Sequence, residues 1–401
     1  MTSANLNIAI AGAGIGGLST ALALARHGMT ASVFEQRSDT KEAGAGIQLG
    51  PNATGVLARF GVLDAVRAVA SEPDALSIHD AQTGRILARF PLGAWIRERH
   101  GAPYLTLHRQ DLHRVLSVAV EAEARISLQR GRQVTGFSNN EASVDVRFDI
   151  GANERADALI AADGLWSKLR AEVAGRYALV AAGRNAYRTV VAGRALPSNL
   201  EANDVHVWLS PGAHIVHYPV RSGAETAIIV VTDGSTSNDG WDSPASGATT
   251  QFSVLKFAAL LSDLISAADD WRMWRLHMLP QQFPWVKGAV ALLGDAAHPL
   301  TPFFAQGGAL AIEDAAIIAA ALARGGAISE RLAEYETARR RRVQKVFDAS
   351  LTNGRIYHLS GAAAVARNAV LACVPGTVMM RRYDWLYGWT PETASSGIAR
   401  S

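Results

Sequence analysis

The stretch that most constrains the fold lies near the N-terminus. A short apolar run leads into Gly12, Gly14 and Gly17, which form a GxGxxG turn at the start of a helical pattern. A second apolar run at residues 30–34 ends at Glu35. Glycines at these spacings allow a tight turn and a close approach to a pyrophosphate, and an acid in this place binds ribose hydroxyls. The stretch predicts a Rossmann-like βαβ unit that binds a dinucleotide, but it does not separate FAD from NAD(P).

A second stretch predicts a strand, a loop and a helix beside a flat ligand. The apolar run 289–293 ends at a Gly-Asp pair, and Pro299 and Pro302 prevent a helix in the loop that follows. Helical spacing then begins near a Gly-Gly pair at 307–308. The positive end of a helix would stabilise an electron-rich ring such as a reduced flavin, and Asp295 can accept a hydrogen bond from a sugar-like hydroxyl. Without the other motifs, this stretch would be interpreted as an ordinary strand-loop-helix connection that binds no ligand.

A third stretch separates the two cofactors. An apolar strand ends at Asp163 and Gly164, and Ser167 and Arg170 follow at one-turn spacings. With the three motifs in this order, the chain resembles the class A flavoprotein aromatic hydroxylases. It is most similar to the group of 3-hydroxybenzoate 6-hydroxylase, salicylate hydroxylase and 6-hydroxynicotinate 3-monooxygenase. Further similar segments are residues 44–53, 108–112, 208–220 and 384–389, so the resemblance covers nearly the whole chain.

The resemblance implies an α/β fold with a Rossmann-like FAD-binding domain, an inserted β-sheet substrate domain and C-terminal helices. We expect a discontinuous FAD-binding domain, a substrate domain in two segments and a C-terminal helical region. The expected FAD-binding domain comprises residues 1–72, 104–180 and 271–328, the substrate domain 73–103 and 181–270, and the helical region 329–401.

The reaction that the resemblance implies is hydroxylation of a small aromatic or heteroaromatic ring of the hydroxybenzoate or hydroxypyridine type. In the family, reduced flavin and O2 form a C4a-hydroperoxide, which attacks an electron-rich ring, usually a phenolate. The protein has to place the ring, keep the site dry and supply a base. We expect non-covalent FAD and, because the chain has no second GxGxxG, NADH or NADPH as a transient reductant.

The motifs and the resemblance together give a set of expected cofactor contacts. Arg109 begins a helical pattern and matches a family arginine that contacts the cofactor, where a cation beside a pyrophosphate is favourable. The alternative for Arg109 is an ordinary surface arginine. The expected cofactor-binding residues are Gly12, Gly14, Ile15, Gly17, Glu35, Gln36, Arg37, Gln48, Arg109, Val134, Asp163, Gly164, Asp295, Pro302, Gly307, Gly308 and Ala309.

The expected base lies on a strand within the segment PGAHIVHYPV. Strand alternation puts His214 and Tyr218 on one face and His217 on the other. His214 can take a phenolic proton near neutral pH, and Tyr218 can hydrogen-bond the same oxygen or a carboxylate. By resemblance, these two match the pocket pair of the hydroxypyridine and hydroxybenzoate enzymes. A structural histidine is the alternative, and we favour it for His217.

Other pocket candidates lie close to the flavin in the family. Gln306, at the junction of loop and helix, is a catalytic candidate, and a helix N-cap is its alternative. By resemblance, Gln48 lies in a loop over the flavin, and Phe303 and Phe304 wall the site of the aromatic ring. We expect His298 to support the loop rather than the chemistry.

Composition excludes several classes of protein. The net charge is +3 and no basic stretch is interleaved with aromatic residues, so we expect no nucleic-acid partner. Four arginines at 339–342 are expected on a solvated helical face. The single cysteine, Cys373, excludes an internal disulfide or cysteine-cluster metal site, and we expect it to be a packed small residue. We also expect no metal, no signal peptide, no membrane span, a cytoplasmic location and a monomer or homodimer.

Other function classes stay open from the residues alone. Uncoupled oxidation of NAD(P)H would support a flavin-dependent dehydrogenase, reductase or epoxidase on the same fold. A yellow protein without substrate-stimulated NAD(P)H oxidation would support a non-catalytic flavin-binding protein. An NAD-only dehydrogenase would not need the stretch from Gly-Asp to His-Pro.

Overall fold

A computed structural model gives the structure of the chain. It describes residues 6–39, 46–140, 143–175, 177, 179–193, 200, 202–234, 242–253, 255–279 and 282–393. The strands are β1 (Asn7–Ala11), β2 (Thr30–Glu35), β3 (Gly46–Leu49), β4 (Ala75–Asp80), β5 (Ile86–Pro91), β6 (Leu105–His108), β7 (Ile126–Arg130), β8 (Val134–Asn139), β9 (Val144–Phe148), β10 (Glu154–Ala156), β11 (Ala158–Ala161), β12 (Val180–Ala192), β13 (Val205–Ser210), β14 (Ala213–Val220), β15 (Glu225–Asp233), β16 (Ser243–Pro244), β17 (Arg272–Met278), β18 (Val286–Lys287) and β19 (Val290–Leu292).

Helices cover the sheets and form most of the C-terminal part of the chain. They are α1 (Ile15–Arg26), α2 (Pro51–Arg59), α3 (Leu63–Arg67), α4 (Gly93–His100), α5 (Arg109–Glu121), α6 (Leu169–Ala174), α7 (Ala248–Ser253), α8 (Ala259–Ser266), α9 (Gly307–Leu322), α10 (Ile328–Tyr357), α11 (Gly361–Cys373), α12 (Gly376–Arg381) and α13 (Asp384–Tyr387). In the part of the chain that the structure describes, no helix is long and apolar enough to cross a bilayer.

A six-stranded sheet carries the predicted nucleotide-binding unit. Its strand order is β18-β19-β11-β1-β2-β7. β1 pairs in parallel with β2 and β11, and β7 and β19 extend the parallel pairing outward. Ile8, Ile10, Val33 and Ile160 are fully buried, as expected for strands covered on both faces. The Rossmann-like α/β prediction is confirmed, and the carboxyl ends of the parallel strands meet at one edge.

An eight-stranded sheet forms the second layer, in the order β16-β17-β12-β15-β14-β13-β4-β5. Its pairs are antiparallel except for β13 with β4. The sequence predicts a return to the FAD-binding domain at residue 271. However, β17 pairs with β12 and β16, so residues 272–278 remain in the eight-stranded sheet. The chain returns to the six-stranded sheet at β18, which pairs with β19.

The run of four arginines in α10 corrects one prediction. Arg339 is fully buried. Its guanidinium forms an ion pair with Glu313 Oε2 at 2.8 Å and donates a hydrogen bond to Asp314 Oδ1 at 2.6 Å, both on α9. The side chain of Arg342 is 9% exposed and lies 2.8 Å from the same Glu313. The prediction of a solvated face is therefore wrong for these two arginines, whereas Arg341 is exposed. The physical reason is that α9 presents two buried carboxylates to α10, which need cations beside them.

Cys373 also differs from its prediction. It is the last residue of α11 and is exposed. The apolar run around it suggested a packed position, but α11 leaves most of its small and apolar side chains, such as Val365 and Val370, facing outward. Hydrophobic composition therefore did not indicate burial in this helix.

Candidate active site

A cleft of about 570 Å³ opens where the carboxyl ends of β1, β2 and β11 meet. Ligands of open parallel sheets bind at such edges. Most of the expected cofactor contacts line the cleft. They are Gly12, Gly14, Glu35, Gln36, Arg37, Arg109, Val134, Asp163, Gly164, Asp295 and Pro302.

Six of the expected cofactor contacts lie outside the lining of this cleft, namely Ile15, Gly17, Gln48, Gly307, Gly308 and Ala309. Ile15 and Ala309 are buried in the core. A Cβ on Gly17 would stand 1.9 Å from the carbonyl oxygen of Gly12, and one on Gly308 would stand 2.6 Å from the Ile47 side chain. These residues allow close packing around the cleft.

The turn after β1 is built for close approach of a ligand. Gly12 has φ +100°, and a Cβ there would stand 2.5 Å from the Ala162 carbonyl oxygen, so only glycine fits. The carboxylate of Glu35 accepts hydrogen bonds from the backbone N–H of Ala13 at 2.8 Å and of Arg37 at 2.9 Å. The acid therefore fixes the turn, and it also faces the cleft.

Arg170 joins the two loops that carry the second and third motifs. Its Nε donates to the carbonyl of Ala296 at 2.7 Å, and its Nη2 donates to the carbonyls of Leu165 at 2.9 Å and Asp295 at 3.0 Å. The guanidinium is buried and needs several acceptors, which the two loops supply. Two motifs that are more than a hundred residues apart in the chain thus form one wall of the cleft.

The residues of the cleft fit a ligand with hydroxyl groups, such as FAD. Asp163 Oδ1 is buried and has no hydrogen-bond partner among the described residues, and burial raises the pKa of this carboxyl. A ligand hydroxyl that donates to Oδ1 would satisfy the atom. Asp295 is exposed at the same wall, and Arg109, which also lines the cleft, carries a positive charge that suits a pyrophosphate. The two carboxylates therefore suit the hydroxyl groups of FAD, and the arginine suits its phosphates.

Strand register brings three functional candidates to one face of the eight-stranded sheet. Val216, which lies between His214 and Tyr218 on β14, pairs with Ile229 of β15, and Ile229 pairs with Arg188 of β12. Directly paired residues point to the same side of a sheet. His214, Tyr218 and Arg188 therefore share what we call the pocket face, and Arg188 also lines the cleft.

His214 is held in the interior at one end of the pocket face. It is 2% exposed, its Nδ1 lies 2.8 Å from Nε2 of His358, and its ring meets Phe303 edge-on at 5.6 Å. Burial lowers the pKa of His214 well below its ordinary value, and the nearby His358 and Arg184 lower it further. The neutral imidazole that a base requires is therefore the stable form at neutral pH.

Tyr218 lies at the other end of the pocket face. It is 2% exposed, shares a side-chain hydrogen bond with Gln48, and lies against Gly46. Tyr104 donates a hydrogen bond to Gln48 Oε1 at 2.7 Å. Burial raises the pKa of Tyr218, although nearby Arg188 opposes this shift, so its hydroxyl stays protonated and can donate. The structure thus brings Gln48 to the pocket tyrosine rather than to the lining of the cleft.

His217 lies on the opposite face, which confirms the predicted alternation. Its ring stacks on His206 at 4.5 Å, and His206 Nδ1 lies 2.9 Å from Nε2 of His79. Burial lowers the pKa of His217 well below its ordinary value, and His206 and His79 lower it further. This cluster of buried histidines points away from Tyr218 and His214, as the structural interpretation of His217 requires.

The remaining pocket candidates separate into different surroundings. Gln306 is the N-cap residue of α9, but its side chain forms no capping hydrogen bond, and its Oε1 accepts a hydrogen bond from Asn52 Nδ2 at 3.0 Å. Phe303 lies beside His214, whereas Phe304 lies 5.6 Å from the ring of Tyr383. The two phenylalanines therefore do not form a single wall.

His298 is buried in the loop before α9. Its Nε2 lies 2.6 Å from Asp314 Oδ2, and the backbone N–H of Gly294 donates to the same oxygen at 3.1 Å. Asp314 is also bonded to Arg339 of α10. These contacts anchor the loop to two helices and direct His298 away from the pocket face.

Arg188 is the functional candidate that the sequence did not indicate. Its guanidinium lies 4.9 Å from the ring centroid of Trp274, and its Nε is buried without a hydrogen-bond partner among the described residues. Burial lowers the pKa of Arg188, with Tyr218 opposing the shift and Arg109 adding to it. Because a guanidinium stays charged despite such shifts, an anion beside it would be stabilised. No motif marks this position, since only the pairing of β12 with β15 brings it to His214 and Tyr218.

Comparison with known proteins identifies the family. The family model of the FAD binding domain matches residues 5–350. The 3-hydroxybenzoate 6-hydroxylase 1 of Aquipseudomonas alcaligenes is 36% identical over 388 residues, which cover 95% of this chain and 97% of that relative. The 6-hydroxynicotinate 3-monooxygenase of Pseudomonas fluorescens is 35% identical over 346 residues, which cover 84% of this chain and 89% of that protein.

Two solved structures show the same fold, and one of them contains FAD. Klebsiella pneumoniae HpxO complexed with FAD and uric acid has a TM-score of 0.81 and 28% identity, and the match covers 93% of this chain and 95% of HpxO. A salicylate hydroxylase substrate complex has a TM-score of 0.83 at 23% identity and covers 98% of both chains, which supports the fold. The predicted family, fold class and FAD cofactor are confirmed. The chain therefore belongs to the FAD-binding family that contains the class A aromatic hydroxylases, and it is an FAD- and NAD(P)H-dependent aromatic monooxygenase.

Proposed function

We propose that this enzyme hydroxylates a small hydroxybenzoate- or hydroxypyridine-like ring that carries a carboxylate. The observation that carries the proposal is the shared pocket face of Arg188, His214 and Tyr218. A buried cation, a neutral base and a phenolic donor together match a ring with one acid group and one ionisable hydroxyl. The names of the 3-hydroxybenzoate and 6-hydroxynicotinate relatives support the same substrate class.

The spacing of the three side chains suggests how such a ring lies. With a rise of about 3.4 Å per residue, His214 and Tyr218 are separated by about 14 Å along β14. Arg188 is aligned with Val216, midway between them. We place the ring hydroxyl at His214 and the carboxylate toward Arg188, with Tyr218 donating to an oxygen of the substrate. His214 then takes the proton from the hydroxyl, which makes the ring more electron-rich.

The chemistry that bound FAD supplies is hydride acceptance from NAD(P)H and activation of O2 for transfer of one oxygen atom to the ring. This chain supplies the contacts that hold it. We assign Glu35 to the ribose, Arg109 to the pyrophosphate, and Asp163 and Asp295 to hydroxyl groups. The first turn of α9, beginning at Gly307, offers free N–H groups to the electron-rich end of the ring system.

Four other side chains shape the proposed pocket. Phe303 excludes water beside His214, and Phe304 closes the side near the C-terminal helices. Gln48 orients Tyr218 through their hydrogen bond. Gln306, whose carbonyl is held by Asn52, has an amide group left to donate to the substrate.

We further propose a cytoplasmic location and a monomeric or homodimeric state. The requirement for NAD(P)H and the presence of one cysteine support a reducing compartment. Cell fractionation and sedimentation of the purified holoenzyme test these two statements. Activity confined to an extracellular fraction, or a larger assembly, would contradict them.

A substrate panel tests the proposed reaction. The purified holoenzyme is given 3-hydroxybenzoate, salicylate and 6-hydroxynicotinate, and also phenol and 3-hydroxybenzamide as neutral counterparts. We expect at least one acid to stimulate NADH or NADPH oxidation and to gain one oxygen atom by mass, with weaker stimulation by the neutral rings. Stimulated oxidation that yields only hydrogen peroxide with every acid would favour a reductase. No stimulation by any ring would refute the proposal.

The role of Arg188 has its own test. Arg188→Gln removes a charge-assisted contact of roughly 1.5–3 kcal/mol, so KM for the acid should rise roughly 10- to 150-fold. KM for the neutral counterpart should change little. Arg272→Gln, an arginine paired in register with Arg188 whose side chain is 42% exposed and lies 3.7 Å from Asp242, is the matched control. An equal loss with acid and neutral rings would mean that Arg188 does not bind the carboxylate.

A further inference from the structure

Three titratable side chains form a continuous hydrogen-bonded chain from the pocket face to the surface. His214 Nδ1 lies 2.8 Å from His358 Nε2, and His358 Nδ1 lies 2.7 Å from Asp233 Oδ1. The exposure rises along the chain, because His214 is 2% exposed, His358 is 9% exposed and the Asp233 side chain is 50% exposed. The residues come from β14, from the end of α10 and from the last position of β15, so tertiary structure alone assembles them.

The direction of each hydrogen bond follows from the carboxylate. An ionised Asp233 can only accept, so His358 Nδ1–H donates to it, and His358 Nε2 is then an acceptor. His214 must therefore donate its Nδ1–H to His358. This order leaves the lone pair of His214 on Nε2, the ring nitrogen that does not face His358. Asp233 thus fixes the tautomer in which His214 can accept a proton from a ligand.

We propose that His358 and Asp233 carry the substrate proton from His214 to solvent. This inference rests on the proposed function, in which His214 takes the proton of the ring hydroxyl. The O–H bond of the substrate breaks and an N–H bond forms at His214 Nε2. The Nδ1 proton of His214 moves to His358 Nε2, the Nδ1 proton of His358 moves to Asp233, and Asp233 releases it to water. One proton leaves, and no electrons are transferred.

Burial explains why such a route is needed. An imidazolium at His214 would be a buried cation, which is unfavourable. The pocket side of His214 adds apolar and neutral aromatic groups, Phe303 and Tyr357, at ring distances of 5.6 and 5.1 Å. A proton held there would also stay beside the phenolate and could return to it. Transfer outward separates the two charges.

Two arginines lie around the outer part of this proton route, near His358 and Asp233. Arg184 of β12 donates to Asp233 at 2.8 Å and lies 4.8 Å from the Phe303 ring. Arg367 of α11 donates to the carbonyls of residues 356 and 357 and adds positive charge near His358. Burial lowers the pKa of His358, Arg184 and Arg367 lower it as well, and Asp233 opposes them. The cations disfavour a proton resting on His358, and Asp233, whose side chain is half-exposed, connects His358 to water.

Two variants test the route without touching His214. Asp233→Asn leaves a half-exposed side chain that can still accept a hydrogen bond but has no charge with which to receive a proton. His358→Gln removes the middle proton carrier of the route. Asp263→Asn, an exposed aspartate on α8, and His217→Gln, a buried histidine on the opposite face, are the matched controls. FAD content and the rate of flavin reduction report on folding and on cofactor binding in all four.

The first readout is the ultraviolet spectrum of the ring when it binds the oxidised holoenzyme, because phenol and phenolate absorb differently. The probe is the acid that stimulates wild-type NAD(P)H oxidation most. We expect the apparent pKa of the bound hydroxyl to rise in Asp233→Asn and His358→Gln and to stay unchanged in the controls. Coupled turnover near neutral pH should fall on the order of 10- to 100-fold, less than for loss of the base itself. KM should change little, and the deficit should shrink as pH rises.

The outcomes separate the two proposals. If the wild type responds to an acid while both variants keep its turnover and its phenolate titration, the route is wrong and the proposed function stands. A loss that is equal at every pH, or that follows loss of FAD, indicates a structural role and also overturns the route. If no acid stimulates the wild type, the proposed function fails and the route falls with it.

Discussion

Glu35 combines two tasks in one carboxylate. It accepts hydrogen bonds from the backbone N–H of Ala13 in the turn after β1 and of Arg37 just after β2, and it faces the cleft where the ribose of FAD is expected. The turn contacts were not predicted from the sequence, because the ribose role alone accounts for an acid at this position. A change at Glu35 therefore affects both the shape of the turn and its contact with the cofactor.

We predict that Glu35→Ala weakens FAD binding more than it slows the chemistry of the FAD-saturated enzyme. A charge-assisted hydrogen bond contributes roughly 1.5–3 kcal/mol, so Kd for FAD should rise roughly 10- to 150-fold. Titration of the apoprotein with FAD measures this change. Glu35→Gln keeps an acceptor for the N–H of Ala13 without the charge. Its Kd for FAD should therefore lie between those of Glu35→Ala and the wild type. An unchanged FAD affinity in Glu35→Ala would contradict the assignment.

His214→Ala should reduce coupled hydroxylation roughly 100- to 10,000-fold near neutral pH, while direct flavin reduction continues in part. The deficit should become smaller as pH approaches the pKa of the free phenol, because the substrate then ionises without help. Because burial lowers the pKa of His214, the wild-type base should stay neutral and active at pH values below its ordinary range. Near-native coupled turnover of the variant at neutral pH would mean that another group is the base.

Tyr218→Phe tests the other end of the pocket face. It removes a positioning hydrogen bond and leaves the base, so KM should rise or more hydrogen peroxide should form per NAD(P)H. Comparison of peroxide with product measures this uncoupling. A fall in turnover with neither a higher KM nor more peroxide would argue for direct proton transfer by Tyr218.

The sequence indicated part of the candidate site at the residue scale. The alternation of β14 was predictable, because successive strand residues point to opposite faces. Arg188, Asp233 and His358 were not predictable, because each reaches His214 or Tyr218 only through strand pairing or helix packing. Their positions in the chain have no fixed spacing to any motif, and an isolated histidine or aspartate has too many ordinary explanations.

At the scale of elements, α9 and α10 are joined by buried charges rather than by apolar contacts alone. Glu313 and Asp314 of α9 are fully buried, and Arg339 contacts both. Burial alone would raise the pKa of Asp314, but His298 and Arg339 outweigh it and lower the pKa to about 2. Burial also opposes the charge on Glu313, but Arg342 and Arg339 lower its pKa. Both carboxylates are therefore charged at neutral pH and depend on their cationic partners. A run of arginines in a sequence does not reveal such partners, because the acids lie on another helix.

We predict that Arg339→Met lowers stability strongly. The change leaves two buried carboxylates with less compensation, which typically costs about 3–5 kcal/mol. Thermal and urea unfolding of the holoenzyme measure the loss. Arg341→Met, two positions along the same helix and exposed, should change stability by less than about 0.5 kcal/mol. Equal effects of the two substitutions would mean that the buried network does not stabilise the packing of α9 against α10.

At the scale of the whole molecule, the N-terminal βαβ unit followed from periodicity and the glycine motif, and the full α/β fold with its inserted sheet followed from the family resemblance. The sheet boundary near residue 271 did not follow, because the apolar pattern of β17 is compatible with either sheet. Only its pairing with β12 assigns it. Whether a helix is buried depends on the layers that pack against it. For this reason the apolar composition of α11 did not predict that its side chains are exposed.

FAD should be released intact when the whole fold is lost. We predict that heat or acid denaturation leaves FAD in the supernatant, because binding is non-covalent. Added FAD should also raise the unfolding temperature, since a ligand at 100 times its Kd stabilises the folded state by about 2.7 kcal/mol. Flavin colour that stays with the precipitated chain, or an unfolding temperature independent of FAD, would contradict this prediction.

The Arg170 contacts have a consequence for recombination between relatives. The guanidinium bonds main-chain carbonyls, namely those of Leu165, Asp295 and Ala296, and every residue type provides a carbonyl. A chimera whose crossover falls between these two loops would therefore keep the hydrogen bonds that join them, as long as the N-terminal parent supplies the arginine. The side chains of the two loops can then come from different parents while the walls of the cofactor cleft keep their spacing.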